Sequence, residues 1–236
     1  MIRNSENAAY NYHKQMVGSG SAWSTSDGQQ MLWDAERTPV TMIAYAPYMS
    51  EAAPDASLAV NALTNQATEE NVKSSDFLLM KATVDPEQDL TADGKLKISL
   101  SHAMSKLIIK ITVNGTTDAA MNKLGDMAIN GAVVNGVCDL SATVPMVVPA
   151  PDAVVATVAP YKGAESCECI LPPQKIAEGF SVNFSYDGKL YIWTAKEAIE
   201  LEKGVEHTLT LNVNTTVRLA GKMARNWATG QLIDRN

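Results

Sequence analysis

Six Asp-Gly or Asn-Gly dipeptides interrupt the 236 residues: Asp27-Gly28, Asp93-Gly94, Asn114-Gly115, Asn130-Gly131, Asn135-Gly136 and Asp187-Gly188. Such pairs tolerate positive φ and suit tight hairpin turns. Between them the chain runs in short stretches of alternating character. In 181–186, Val182, Phe184 and Tyr186 alternate with Ser181, Asn183 and Ser185. Asp187-Gly188 then turns the chain, and Leu190 and Ile192 resume the apolar alternation on a return strand. In 207–213, Leu209, Leu211 and Val213 alternate with Thr208, Thr210 and Asn212, which reads as a half-buried antiparallel strand. The best helical windows, 56–66, 118–124 and 195–202, are all short. The fold class these patterns predict is all-β.

The stretch 96–113 carries information about domains. Ile98, Leu100 and Met104 are apolar at even positions, whereas Leu107, Ile109, Ile111 and Val113 are apolar at odd ones. A one-residue slip turns every side chain of a strand over, so the flip implies a bulge or a passage to another sheet. The polar segment 85–94, with Pro86 and a terminal turn, reads as a linker. The expected organisation is an N-terminal domain over 1–94 and a C-terminal domain over 95–236. Pro145, Pro149 and Pro151 exclude a helix and a central strand from 143–160, leaving a loop or a sheet edge. Pro172-Pro173 marks an abrupt strand end.

Composition and motifs narrow the chemistry. With 19 basic and 26 acidic residues the net charge is −7, and no Lys/Arg cluster stands out. That balance disfavours nucleic acid and anionic membrane surfaces as partners. No apolar run reaches the length of a membrane-spanning helix, and the first residues hold no signal-peptide core. The three cysteines, Cys138, Cys167 and Cys169, exclude a full disulfide framework. Cys167 and Cys169 alternate along one strand and read as small buried hydrophobes, with redox or metal use as the alternative. His13, His102 and His207 show no metal-binding spacing. Phosphate-loop, dinucleotide and nucleophile-elbow motifs are missing, so an enzyme is disfavoured and no cofactor or metal is expected. Glu69-Glu70 and Glu200/Glu202 read as solvated pairs. Asp85, Glu87 and Asp89 alternate like calcium ligands, but Pro86 and the lack of a downstream glutamate argue against an EF-hand. Trp23, Trp33 and Trp193 are candidate surface aromatics for glycan stacking; the plainer reading places them, with Trp227, in the core.

Several segments together resemble the fimbrillin-like proteins, subunits of the type V pili of Bacteroides-type bacteria. Trp33 followed by the segment 40–48 (VTMIAYAPY) is similar to the family's "W … AYYPY" element. The segment 75–82 (SDFLLMKA) is similar to "DLLYA", and 96–111 to the "F-x-H-A-x-x-K" strand. Ile170 to Gln174 (ILPPQ) is similar to "I-x-P-Q". Residues 201–211 are similar to "L-x-x-G-x-x-Y-T-Y-x-L", and 225–230 to the "x-x-W-x-x-G" ending. The departures are Leu78-Leu79-Met80 and Ala46, which replace aromatic residues. An upstream opening strand and a "W-x-x-G-D-x-I-G" element also have no counterpart here, so the first domain is expected to lack its first strands.

The resemblance implies two tandem transthyretin-like β-sandwich domains with Greek-key-like antiparallel sheets. It implies a non-enzymatic cell-surface subunit or pilus-associated adhesin of the outer membrane, exported as a lipoprotein whose lipid-bearing N-terminus is not in this sequence. It further implies assembly by β-strand exchange with other fimbrial subunits, the same or paralogous, and contact with a host or bacterial surface protein or glycan. A glycan-binding surface lipoprotein is the alternative. An unpaired sheet edge beside an apolar groove is a template for an added strand. Val217 and Leu219 alternate as a strand would, and Val217, Leu219, Trp227, Leu232 and Ile233 are the candidate exchange residues. The alternative for this tail is that it completes the second sandwich.

Overall fold

A computed structural model describes residues 1–20, 22–50, 56–115, 117–214, 222–226 and 231–235. Strands dominate, and among the described residues the sheets are antiparallel with one exception. Among the described residues the one α-helix is Glu69–Ser75. The Thr68 hydroxyl starts it by accepting the Asn71 N–H at 3.2 Å. Glu69 and Glu70 stand in its first turn, where their charge suits the helix dipole. The helical windows at 56–66 and 195–202 hold strands instead, Ser57–Asn61 and Ile199–Leu201. Leu58 and Val60 are buried and their neighbours exposed, a period of two that overrides the high helical propensity of alanine and leucine. The 118–124 window holds the short 3-10 turn Met121–Lys123 between the end of one strand at Asp118 and the start of another at Leu124.

The chain forms two compact units. The first comprises Met1–Leu58, Phe77–His102 and Cys138–Met146; the second comprises Ala59–Asp76, Ala103–Val137 and Val147–Asn236. A single cut between 94 and 95 describes two continuous segments, whereas these units interleave along the chain. The parity flip in 96–113 has its counterpart here. Ser101–His102 pairs with Leu78–Leu79 in the first unit, and Ser105–Val113 runs in a sheet of the second.

In the first unit a sheet runs in the order Ile2–Arg3, Val40–Ala46, Leu78–Val84, Ser101–His102. Ile2, Val40, Met42 and Val84 form its buried centre, and Tyr12, Met31, Trp33, Met80 and Leu96 pack against them. Lys81 Nζ donates to the carbonyls of Leu140, Ser141 and Ala142 at 2.9, 3.2 and 2.8 Å. One ammonium thus satisfies three turn acceptors, using all three of its donors.

The second unit holds two four-strand paths. One runs Val155–Val158, Leu124–Val133, Ser181–Tyr186, Lys189–Thr194; the other runs Tyr161–Lys162, Cys167–Leu171, Ser105–Val113, Glu206–Val213. Alternate residues are buried on each: Ile129, Val158, Val182 and Phe184 on the first, Leu107, Ile109, Cys169 and Leu211 on the second. That is the pattern of a two-layer β-sandwich core.

Two expectations need correcting here. Glu206–Val213 lies parallel to Ser105–Val113, from Glu206 opposite Lys106 to Val213 opposite Val113. Period-two burial reports one covered face, and parallel and antiparallel strands produce it alike. Of the six turn pairs, Asn114-Gly115 (φ 53°, 78°) and Asp187-Gly188 (φ 51°, 73°) have both residues at positive φ, as a type I′ turn requires. Asn130-Gly131 and Asn135-Gly136 instead lie inside the strands Leu124–Val133 and Asn135–Asp139. Gly131 sits at φ 91° where the pairing register shifts, and a Cβ there would lie 2.5 Å from the Gly179 carbonyl oxygen. This glycine serves close backbone approach rather than a turn.

Candidate functional site

A sheet ends on strands that each present one row of unpaired N–H and C=O groups. In the second unit, side chains and chain continuations close some of these edges and leave others open. Cys167–Leu171 has Ser105–Val113 on one side, while Tyr161–Lys162 covers only Cys167 and Glu168 on the other. At Ile170 the Gln66 side chain takes over. The Ile170 N–H donates to Gln66 Oε1 at 2.8 Å, and Gln66 Nε2 donates to the Ile170 carbonyl at 2.8 Å and the Leu63 carbonyl at 2.9 Å. Gln66 is 0% exposed. A primary amide carries the same donor and acceptor as a peptide group, so Gln66 stands in for one residue of a neighbouring strand.

Gln174 repeats the device on the other sheet. The Val133 N–H donates to Gln174 Oε1 at 2.9 Å, and Gln174 Nε2 donates to the carbonyls of Val133 and Pro172 at 2.9 and 3.0 Å. Just beyond Val155–Val158, the Ala159 N–H donates to Thr64 O and its carbonyl accepts from Gln66 N–H, both at 2.8 Å.

Among the described residues, Glu206–Val213 is an open edge. The Lys106 N–H donates to Val205 O at 3.0 Å, and the Asn114 N–H donates to Val213 O at 2.9 Å. Odd-numbered residues therefore bond inward, and the backbones of Glu206, Thr208, Thr210 and Asn212 face outward. Among the described residues those four backbones have no partner. The side chains of the four residues whose backbones face outward, Glu206, Thr208, Thr210 and Asn212, are polar. Lys106 Nζ lies 2.8 Å from Glu168 Oε2 and 3.3 Å from Glu206 Oε1. The hydrogen bond that Lys106 donates to the Glu168 carboxylate raises the Lys106 pKa above its usual value, against the effect of burial.

Of the candidate exchange residues, Val217, Leu219 and Trp227 lie outside the described residues. Leu232 and Ile233 lie on Gln231–Arg235, which pairs antiparallel with Lys222–Asn226 and sets Leu232 opposite Arg225 and Ile233 opposite Ala224. Among the described residues this hairpin is a sheet of its own.

The three candidate tryptophans divide between the two units, Trp23 and Trp33 in the first and Trp193 in the second. Trp23 is 59% exposed on the hairpin Met16–Ser19/Ala22–Thr25, and its Nε1–H donates to Gly20 O at 3.0 Å. Trp33 is half-buried against the first unit's core, donating to Thr38 O at 2.8 Å. Trp193 is half-buried in the second unit, edge-on to Phe180 at 6.2 Å. Neither Trp33 nor Trp193 offers an open ring face of the kind Trp23 presents.

The other titratable groups hold structure. Burial pushes the thiols of Cys167 and Cys169 up to about 11 and about 12, so both stay protonated and unreactive near neutrality. His207 Nε2 accepts the Glu202 N–H at 2.9 Å and fixes the turn between Ile199–Leu201 and Glu206–Val213. Asp85 and Asp89 spend their carboxylates on their own loop, accepting from Glu87 N–H at 2.9 Å and Asp85 N–H at 2.8 Å. Among the described residues no group of three His, Cys, Asp or Glu is placed to hold a metal ion. Sequence reasoning missed the role of Gln66 and Gln174. Gln174 was visible as the end of the ILPPQ element; Gln66 gave no signal.

Two paths of strands with alternate residues buried, their edges plugged at some places and bare at others among the described residues, define a β-sandwich protein. Residues 2–227 match the family model described as fimbrillin-like, and the chain belongs to that family. A search of curated proteins finds no match. Among solved structures, the chain resembles a candidate cell adhesion protein from Bacteroides uniformis (TM-score 0.66, 16% identity, 91% of this chain and 84% of that one). It also resembles one from Bacteroides ovatus (TM-score 0.62, 17% identity, 90% and 80%). A fimbrial protein from Bacteroides ovatus aligns with 99% of this chain at TM-score 0.56 and 16% identity, and the chain spans 47% of its length. These likenesses establish a shared β fold.

Proposed function

We propose that this chain is a non-enzymatic, cell-surface fimbrial subunit or pilus-associated adhesin that joins neighbouring subunits by β-strand exchange. The observation that carries the proposal is the family match over residues 2–227, read together with the open edge at Glu206–Val213. That edge supplies outward N–H and C=O groups over a stretch comparable to a typical strand, which is what strand addition uses for affinity. The exchanged element is the tail 215–233, with Val217, Leu219, Trp227, Leu232 and Ile233 as its apolar contacts. The fimbrial and adhesion proteins of similar fold support a surface location and partners among other fimbrial subunits; the outer membrane is the surface this reading assigns. In this reading a lipid-bearing N-terminal segment supplies the membrane anchorage.

Size-exclusion chromatography with light scattering tests the assembly. The full chain is run alone and with a peptide of residues 215–236, beside a chain lacking those residues. Oligomers of the full chain that the deletion abolishes, or peptide capture with a rise in Tm, support strand exchange. A stable monomer that ignores the peptide, or oligomers that survive the deletion, refutes the tail as donor.

A further inference from the structure

A second open edge lies on the opposite sheet, at Lys189–Thr194. Among the described residues its only strand neighbour is Ser181–Tyr186, with Tyr186 opposite Lys189, Phe184 opposite Tyr191 and Val182 opposite Trp193. Asp187-Gly188 is a two-residue turn, so Tyr186 and Lys189 form the hydrogen-bonded pair that closes it, and every second pair repeats the pattern. The Ala195 N–H donating to Phe180 O at 2.9 Å continues the series. The backbones of Leu190, Ile192 and Thr194 therefore face outward, and among the described residues none has a partner.

The side chains make this edge unlike the one at Glu206–Val213. Leu190 is 78% exposed and Ile192 50%. Natural edges are commonly guarded by charge, proline or a bulge. Here the sole charged side chain is Lys189, at the turn end of the strand. Beside Ile192 on the same face, Asn183 Oδ1 is buried and has no partner among the described residues. The protein plugs other edges of this unit with Gln66 and Gln174, yet among the described residues leaves this apolar edge bare.

We propose that Lys189–Thr194 is a homotypic interface, at which two copies of this chain pair edge to edge, antiparallel, about a two-fold axis through Tyr191. An isologous strand contact must pair residues on the same face, so the axis has to pass through a residue and not between two. Placing it at Tyr191 sets Leu190 of each copy against Ile192 of the other. The outward N–H and C=O groups of those residues meet, and all four exposed aliphatic side chains become direct neighbours. It also places the two Lys189 side chains at opposite ends of the pair, so no like charges oppose. Six residues of strand span about 20 Å. That is a contact well below the roughly 800 Å² per partner of a standard interface, so the pair is weak, with a Kd on the order of 0.1–1 mM. In a fibre, repetition of the contact would link neighbouring fibres side by side through avidity. The pairing itself does not depend on strand exchange by the tail, and either can fail without the other.

Cysteine cross-linking of the otherwise complete chain tests the register. Leu190→Cys and Ile192→Cys proteins are oxidised separately and as a mixture. Leu190 of one copy faces Ile192 of the other, while two copies of the same position lie beyond the ~7 Å Cα reach of a disulfide. The mixture should cross-link on the order of ten times faster than either protein alone, and adding Ile192→Lys to the Leu190→Cys partner should abolish the gain. Both positions are exposed, so folding is preserved and is checked by an unchanged Tm. Equal rates in all three samples, or sedimentation showing only monomer at about 1 mM, would overturn the proposal.

Discussion

Gln174 is the residue whose replacement most directly tests the idea of side chains as strand surrogates. Its amide makes three hydrogen bonds, two to Val133 and one to Pro172, at 2.9–3.0 Å. Gln174→Ala removes all three and leaves one N–H and two carbonyls without their partner. Each bond contributes about 1 kcal/mol net, and Gln174 and Val133 are half-buried, so water recovers part of the loss. The expected cost is about 2–3 kcal/mol, or roughly 4–12 °C in Tm for a chain of this size. Gln174→Glu separates hydrogen bonding from volume. At pH 7 a carboxylate oxygen replaces the NH₂ and faces two carbonyls, so this variant should be less stable than Gln174→Ala. Those carbonyls disfavour the charged form and raise the folded-state pKa of the introduced carboxyl. Relative to Gln174→Ala, the Gln174→Glu variant should therefore gain stability as pH falls through that raised value, when the protonated acid again donates, and lose it as pH rises. Thermal unfolding at pH 4 to 7 with amide exchange at Val133 reads both effects. A loss under about 0.5 kcal/mol in Gln174→Ala, or Val133 exchange unchanged, would refute the surrogate role.

Three further outcomes are expected. Gln66→Leu should cost more than Gln174→Ala, about 3–5 kcal/mol by urea denaturation, because Gln66 is wholly buried and water cannot replace its bonds to Ile170 and Leu63. Gly131→Ala should destabilise by about 2–4 kcal/mol, since φ 91° and the approach of Gly179 O both exclude a Cβ; a Tm within 2 °C of wild type, about the shift of half a kcal/mol, would contradict this. His13, whose Nε2 lies 2.8 Å from the Tyr45 hydroxyl, has its pKa lowered by burial and secondarily by a nearby positive charge. Its contribution to stability is complete above the usual histidine range and declines as pH falls through that range toward the folded value. The stability difference between wild type and His13→Phe should accordingly shift against wild type below about pH 6.5 and be flat above it.

The sequence predicted the class of fold because that information is local. Turn chemistry at Asp187-Gly188 and Asn114-Gly115, and the alternation in 181–186, arise within a few residues of chain and survive into the structure. What failed was set at long range. The direction of Glu206–Val213 depends on where the chain re-enters beside Ser105–Val113, about a hundred residues earlier, and side-chain period is the same either way. Asn130-Gly131 has turn composition, but Gly179 decides its role by crowding the backbone from 48 positions away. Gln66 was illegible for the same reason: Ile170, the backbone it completes, lies 104 residues on.

The edge at Lys189–Thr194 is a different case, because its unusual feature followed from local arithmetic. Alternation alone makes Leu190 and Ile192 look like the inward residues of a return strand. The two-residue turn decides otherwise. With Tyr186 opposite Lys189, the buried Phe184 and Val182 must stand opposite Tyr191 and Trp193, and Leu190 and Ile192 must point to the other face. Tyr191 is buried and stacks on Phe184 at 5.4 Å, as that register demands. The strand is thus apolar on both faces although one sheet covers only one of them. A strand apolar on both sides is what central, doubly covered strands look like. Here it occurs at an edge, so its outer face has the composition of a surface that another chain covers, and local pattern and global position disagree at the place where a partner is expected.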